Sequence, residues 1–186
     1  MNDMIPLIQR LVCQLRVMQQ PSFIKARKML NWLNSDSSGY APLFLRLLLA
    51  YEFLEAGLEK LSGDNWFAEL TFPFPFNLLP EDINWMLATG LEIIAPVALI
   101  LGFATRLFSM ALMVLTAVAI AAVHWPEQWH TLGELWKGYA ITNQGYGNYK
   151  LPLMYIFMLL SLLLSGAGEL SLDAWLMKRA NKIKDG

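Results

Sequence analysis

Apolar positions along the chain gather into four long runs, separated by polar or turn-rich stretches. The runs extend from Pro42 to Leu61, Ile83 to Phe103, Leu107 to Val123 and Leu151 to Leu164. A helix rises 1.5 Å per residue and needs about 20 apolar residues to cross a hydrocarbon core of ~30 Å. The second run meets this. The third and fourth meet it only with their flanking aromatics. The first is long enough but contains charges. Ahead of the runs, Ile5, Ile8, Leu11, Val12 and Leu15 recur at helical spacing among Gln9, Arg10, Gln14 and Arg16. That pattern predicts an amphipathic helix too short and too polar to span. Pro21 ends it, and Phe23, Ile24, Met29, Leu30 and Leu33 then alternate with Lys25, Arg27 and Lys28. A turn-rich linker follows from Asn34 to Gly39. The expected fold is all-α: a four-transmembrane-helix bundle with an amphipathic amino-terminal arm. The expected parts are the arm at 1–40, a membrane domain at 41–177 and a basic tail at 178–186.

Composition supports a lipid environment. The 186 residues are 56% hydrophobic and 16% charged, against about a quarter charged in soluble domains. Mean hydropathy is +0.40. A net charge of −1 points to no nucleic-acid partner. Cys13 is alone, which excludes an intramolecular disulfide and a Cys-x-x-Cys motif. Basic residues interrupt the first thirty positions, so no secretory signal is expected and the chain's own helices would direct insertion.

Charge placement predicts orientation. The arm holds Arg10, Arg16, Lys25, Arg27 and Lys28, the tail holds Lys178, Arg179, Lys182 and Lys184, and the turn between the second and third runs holds Arg106. The segment 62–82 has no Lys or Arg, and 124–149 has only Lys137. By the positive-inside rule both termini are expected in the cytoplasm of a bacterial inner membrane, with the two long loops outside.

The first run carries Arg46, Glu52, Glu55, Glu59 and Lys60. Glu52, Glu55 and Glu59 share one helix face, and Lys60 is placed to snorkel outward. The second run adds Glu92, four residues before Pro96, whose missing N–H frees the carbonyl of residue 92. Charges at such depth need a partner, a proton or a protein interior. Arg46, Glu52, Glu55 and Glu92 are therefore expected to form one intramembrane polar cluster, either a binding site or a network that only holds the helices together. Small residues such as Ala50 and Gly57, and Ala111, Ala117 and Ala121, are candidate helix contacts.

The outer loops are rich in aromatics: Trp66, Phe67, Phe72, Phe74 and Phe76 in the first, Trp125, Trp129, Trp136, Tyr139, Tyr146 and Tyr149 in the second. They form either an interfacial belt or a lid over an outward-opening site. Trp125, Trp129, Leu132 and Trp136 have helical spacing, and His124, Trp125 and Trp129 are the outer-face candidates. His124 and His130, with Met110/Met113 and Met154/Met158 on shared faces, have the chemistry of Cu(I) ligands, but methionine is also ordinary helix packing. No metal site is assigned.

The segments RLLLAYEFLEAGLEK from Arg46, EIIAPVALILGFATR from Glu92 and GAGELSLD from Gly166 together resemble the DoxX-like membrane proteins, small four-helix bacterial proteins. The resemblance covers about 41–177. Arg46, Gly57, Lys60, Glu92, Gly102, Arg106, Gly166, Gly168, Ser171 and Asp173 carry it, while Glu52 and Glu55 depart from the family pattern. HWPEQWHTLGEL from His124, GNYKLPLMYIFMLLSLLLSGAGELSLDAW from Gly147 and the arm before APLFLRLLLA are similar to the branch that accompanies copper-binding ribosomal peptides, the bufferin-type systems. That resemblance implies an accessory role in maturation or export of a Cys-rich secreted peptide, beside a separate iron-dependent modifying enzyme, rather than an enzyme acting alone. Other DoxX-like proteins imply a quinone-linked redox subunit, in which Arg46 would polarise a quinone carbonyl and Glu92 would move the proton. A structural scaffold without a site is the third reading. The residues themselves show no haem, flavin or iron–sulfur pattern.

Overall fold

A computed structural model describes residues 24–25, 27–28, 39–126, 129–137, 139 and 147–184. The expected amphipathic arm and linker lie almost wholly outside the described residues. The chain divides into compact units at 1–39 and 40–186. The described residues of the second are helical, with no strand among them. Its helices are α1 (Tyr40–Ser62), α2 (Glu81–Leu101), α3 (Thr105–Ala119, continued by a π-helical turn at Ile120–His124), α4 (Leu132–Lys137), α5 (Lys150–Ser165) and α6 (Leu172–Lys184). Two short 3-10 turns, Phe67–Glu69 and Phe76–Leu78, lie between α1 and α2.

Two helical stretches, Glu81–Leu101 and Thr105–His124, are long and apolar enough to cross a membrane. The 23 residues of α1 reach about 34 Å, but their charges set it apart. The 16 residues of α5 reach about 24 Å. α1 packs chiefly on α2 and α3 chiefly on α5, with α2–α3 and α1–α5 contacts joining the pairs. The shared core is Leu49, Ala50 and Phe53 of α1, Ala95 and Leu99 of α2, Leu112 of α3, and Leu159 and Leu162 of α5.

Polarity runs inside out. Phe44, Leu48, Met86, Ile94, Val114 and Phe157 face outward, whereas Arg46, Asn84, Thr89, Glu92, Thr105, Ser109 and Thr116 are buried. Water would penalise that continuous apolar exterior, and lipid does not.

The ends of α2 and α3 are set by a clasp. Gly102 ends α2 at φ +66°, and the Phe103 N–H returns to the Ala98 carbonyl at 2.9 Å. α3 has no cap of its own. Asp173, from the start of α6, accepts the Ala104 N–H at 2.8 Å and the Thr105 N–H at 3.0 Å, and its own N–H donates to the Gly102 carbonyl at 3.0 Å. Arg46 donates to the Leu170 carbonyl at 2.6 Å. A Cβ on Gly102 would overlap the Arg46 guanidinium and come within 2.5 Å of Ser171 Cβ. Three separated sequence segments thus meet at one end of the bundle. The basic stretch at 178–184 continues α6 without a break.

Candidate functional site

At the opposite end, the four long helices separate around a cavity of about 640 Å³. Its walls include Phe53 and Ala56 of α1, Leu87, Ala88 and Leu91 of α2, Ala111, Leu115 and Ala119 of α3, and Pro152 of α5. Trp66, Phe67, Leu70, Phe72 and Phe76 from the α1–α2 loop border it. Phe67 is buried with its ring 5.0 Å from Trp66, 5.2 Å from Phe72 and 5.0 Å from Trp85. The loop is fastened to α2: Asn65 donates to Asp82 at 2.7 Å, and Asn84 donates to the Phe76 carbonyl at 2.9 Å. The first outer loop therefore forms part of the cavity wall. Among the described residues of the second, helix spans Leu132–Lys137 and does not include Trp125, which is extended (φ −74°, ψ 141°).

Two polar pairs line the cavity. Lys60 Nζ lies 2.7 Å from Glu92 Oε2 and 3.0 Å from Oε1, with side-chain exposures of 16% and 8%. Taking both charges out of water is costly, and only close, two-pronged contact offsets it. The register of α1 on α2 makes this contact. Gly57 faces Glu92 so closely that a Cβ there would sit 3.0 Å from the Glu92 backbone carbonyl carbon and oxygen. Pro96 withholds the N–H that would otherwise bond that carbonyl, and Gly57 leaves room for it. Lys60, one turn further along α1, then reaches the carboxylate. Deeper in the cavity, the Tyr155 hydroxyl donates to Glu52 Oε2, and the Tyr155 ring is 5.7 Å from Phe53.

The four residues expected as one cluster are divided. Glu52 and Glu92 line the same cavity, each with its own partner. Arg46 belongs to the clasp at the other end, because the same antiparallel register that sets Gly57 against Glu92 sets Arg46 against Gly102. Glu55 is exposed and off the cavity wall. Lys60, expected to snorkel outward, turns inward. The partners Lys60 and Tyr155 and the wall residue Asn84 are not among the residues expected at the site. Lys60 is signalled only as a position of the family pattern, and Tyr155 and Asn84 only by polarity inside an apolar run.

His124 reaches the cavity through the π turn, which shifts the register of the last turn. Its Nδ1 lies 2.5 Å from Asn148 Oδ1, and the Asn148 N–H donates to its carbonyl at 3.1 Å. Trp125 and Trp129 are exposed, and neither lines the cavity; the Trp125 ring lies 5.6 Å from Tyr149. Met110 and Met154 are exposed, whereas Met113 and Met158 pack on the core. Among the described residues no three His, Cys, Asp or Glu side chains converge as a metal site.

The DoxX family profile matches residues 41–125, which contain α1, α2, the loop between them and α3. An uncharacterized protein of Haemophilus influenzae is 47% identical over 143 residues, covering 76% of this chain and 86% of that protein. No solved structure matches the chain. The matched segment supplies Arg46, Gly57, Lys60, Glu92 and Gly102, the positions around which the clasp and the Lys60–Glu92 pair are built, and over this segment the chain is a DoxX-like membrane protein.

Proposed function

We propose that the chain is a four-span inner-membrane protein with both termini cytoplasmic, and that its cavity holds an amphiphilic ring compound of the quinone class for a partner oxidoreductase. The cavity itself carries the reading: an apolar space of about 640 Å³, bordered by aromatics and furnished with an ammonium–carboxylate pair. Apolar pockets with a few convergent polar groups are the usual form of small-molecule sites. Lys60 takes the role first given to Arg46, a cation directed at a ring oxygen. Glu92 and the Glu52–Tyr155 pair are groups through which a proton could pass. α1 and α5 complete the four spans, and the clasp end, with Arg106 and the basic α6, faces the cytoplasm by the positive-inside rule. Illumination of membranes with an azido-quinone tests the reading. Labelled peptides should come from 84–92 or 111–124, and labelling spread over the outer helix faces would contradict it.

A second reading has its own support. The two segments similar to the bufferin-type branch are fastened together outside the bundle: Asn148 bonds His124 through backbone and side chain, and Tyr149 donates to the Leu135 carbonyl at 2.6 Å. Such an outer platform suits an accessory role toward a Cys-rich copper-binding peptide and its modifying enzyme. Deleting the gene in its host and scoring peptide release under excess copper separates the two: retained peptide supports this reading, and normal release removes it.

A further inference from the structure

α6 is anchored at one end only. Asp173, on its first turn, bonds Gly102, Ala104 and Thr105, so the helix starts at the level where α2 ends and α3 begins. Beyond that anchor every residue from Trp175 to Lys184 is exposed. The exposed side chains are not uniformly polar. Leu172, Trp175, Leu176 and Ile183 lie at offsets of three, four and eleven, which puts them on one face of the helix. Trp175 is 52% exposed and Ile183 75%. Lys178 and Lys182 flank that face on one side and Lys184 on the other, while Arg179 lies over the Trp175 ring at 5.2 Å. Asp173, the single acid of the helix, is engaged with the N–H groups of Ala104 and Thr105. The apolar face also continues a larger surface, because Leu101, Phe103, Leu107, Leu164 and Leu170 are exposed at the same end of the bundle.

We propose that α6 is an interfacial helix that binds anionic lipid: its apolar face sinks toward the acyl chains at the clasp end, and Lys178, Arg179, Lys182 and Lys184 meet phosphate headgroups. The inference uses the placement of the bundle in the membrane and is independent of the quinone reading. An apolar face left in water is penalised, and lipid chains lie within reach of a helix that starts at the rim of the bundle. Lysine and arginine stems can run along the apolar layer and carry their charges up to the phosphates. A lipid surface meets both features at once, because it is apolar below and anionic above along the whole helix. Helices with such a face and a basic rim lie in the headgroup layer and bind more tightly where the lipid is anionic.

The test places the full chain, with Cys13→Ser and a nitroxide on Ile183→Cys, in nanodiscs of phosphatidylcholine or of phosphatidylcholine and phosphatidylglycerol in equal parts. Accessibility of the nitroxide to oxygen, which concentrates among acyl chains, and to a neutral water-soluble nickel chelate gives the ratio of inserted to free helix. Each Lys or Arg held near an anionic surface strengthens binding about fivefold, so that ratio should rise at least about tenfold in the anionic discs. Concentrated salt should reverse part of the rise. A nitroxide on Asn181→Cys, opposite the apolar face, should stay open to the nickel chelate in both discs. Lys178→Gln, Arg179→Gln, Lys182→Gln and Lys184→Gln together, all at exposed positions, should abolish the difference between the discs. A nitroxide at position 183 that is open to the nickel chelate in both discs would leave α6 in water, as a surface for a soluble protein, and overturns the proposal. Equal burial in both discs would make α6 an apolar anchor without headgroup selection and overturns it too. Neither result bears on the quinone reading.

Discussion

Replacing Lys60 by Met would test whether the Lys60–Glu92 pair holds α1 to α2. The carboxylate of Glu92 is 8% exposed and sits mid-helix beneath the loop aromatics, with Lys60 as its ion-pair partner. Removing one member of a buried pair strands the other charge, at a cost of about 3–5 kcal/mol. The reverse change is milder. In Glu92→Gln the amide keeps the shape of the side chain, and Lys60 can extend its stem toward the outer surface. Lys60→Met should therefore destabilise more than Glu92→Gln. In the Glu92→Gln background it should cost only about 1 kcal/mol, which gives a coupling of at least about 2 kcal/mol. Equilibrium unfolding in mixed micelles, followed by helical circular dichroism, measures all four corners of the cycle. If Lys60→Met costs the same in both backgrounds to within about 0.5 kcal/mol, the two side chains are independent and the pair does not bind the helices.

Three further outcomes follow from the fold. Gly57→Ala puts a methyl 3.0 Å from Glu92 backbone atoms and should cost about 1–3 kcal/mol in the same unfolding measurement, while Gly90→Ala, which meets no atom within 4 Å, should not destabilise. Gly102→Ala meets both a left-handed backbone and the packed Arg46 guanidinium, so it should lose at least about 2 kcal/mol; recovery of wild-type stability would remove the clasp from the account. Asp64→Cys in a Cys13→Ser background should react with a membrane-impermeant thiol reagent in intact spheroplasts, and labelling only after lysis would invert the proposed topology.

The four apolar runs foretold α1, α2, α3 and α5 to within a few residues, because helices that are apolar on their outer as well as their packed faces need long apolar segments that a single sequence displays. The aromatics of 66–76 were readable only as an interfacial belt or a lid, and the side of the choice that Phe67 takes, buried against Trp66, Phe72 and Trp85, depends on the fold. The pairing of charges was not readable. Arg46 and Glu92 look like natural partners by sign and depth class, yet partner choice depends on the register of α1 against α2. That register is set by Gly57 on the Glu92 carbonyl, a contact between small and backbone atoms with no periodic signature. Tyr155 was hidden for a related reason: a phenol in an apolar run signals nothing until α5 is seen beside Glu52. His124 reached the cavity only through the π turn, which the spacing of α3 does not announce.

The central claim is that a ligand occupies the space between the helices. Ala111 lines that space on α3, and a Phe there would fill part of it while leaving the residues of the Lys60–Glu92 and Glu52–Tyr155 pairs in place. The deciding measurement is binding of decylubiquinol and decylubiquinone to nanodisc-embedded wild-type protein and to Ala111→Phe. The account predicts saturable binding by the wild type, and at least about a tenfold loss in Ala111→Phe with the unfolding free energy held within about 1 kcal/mol. Undiminished binding to the filled variant would place the ligand elsewhere and contradict the account.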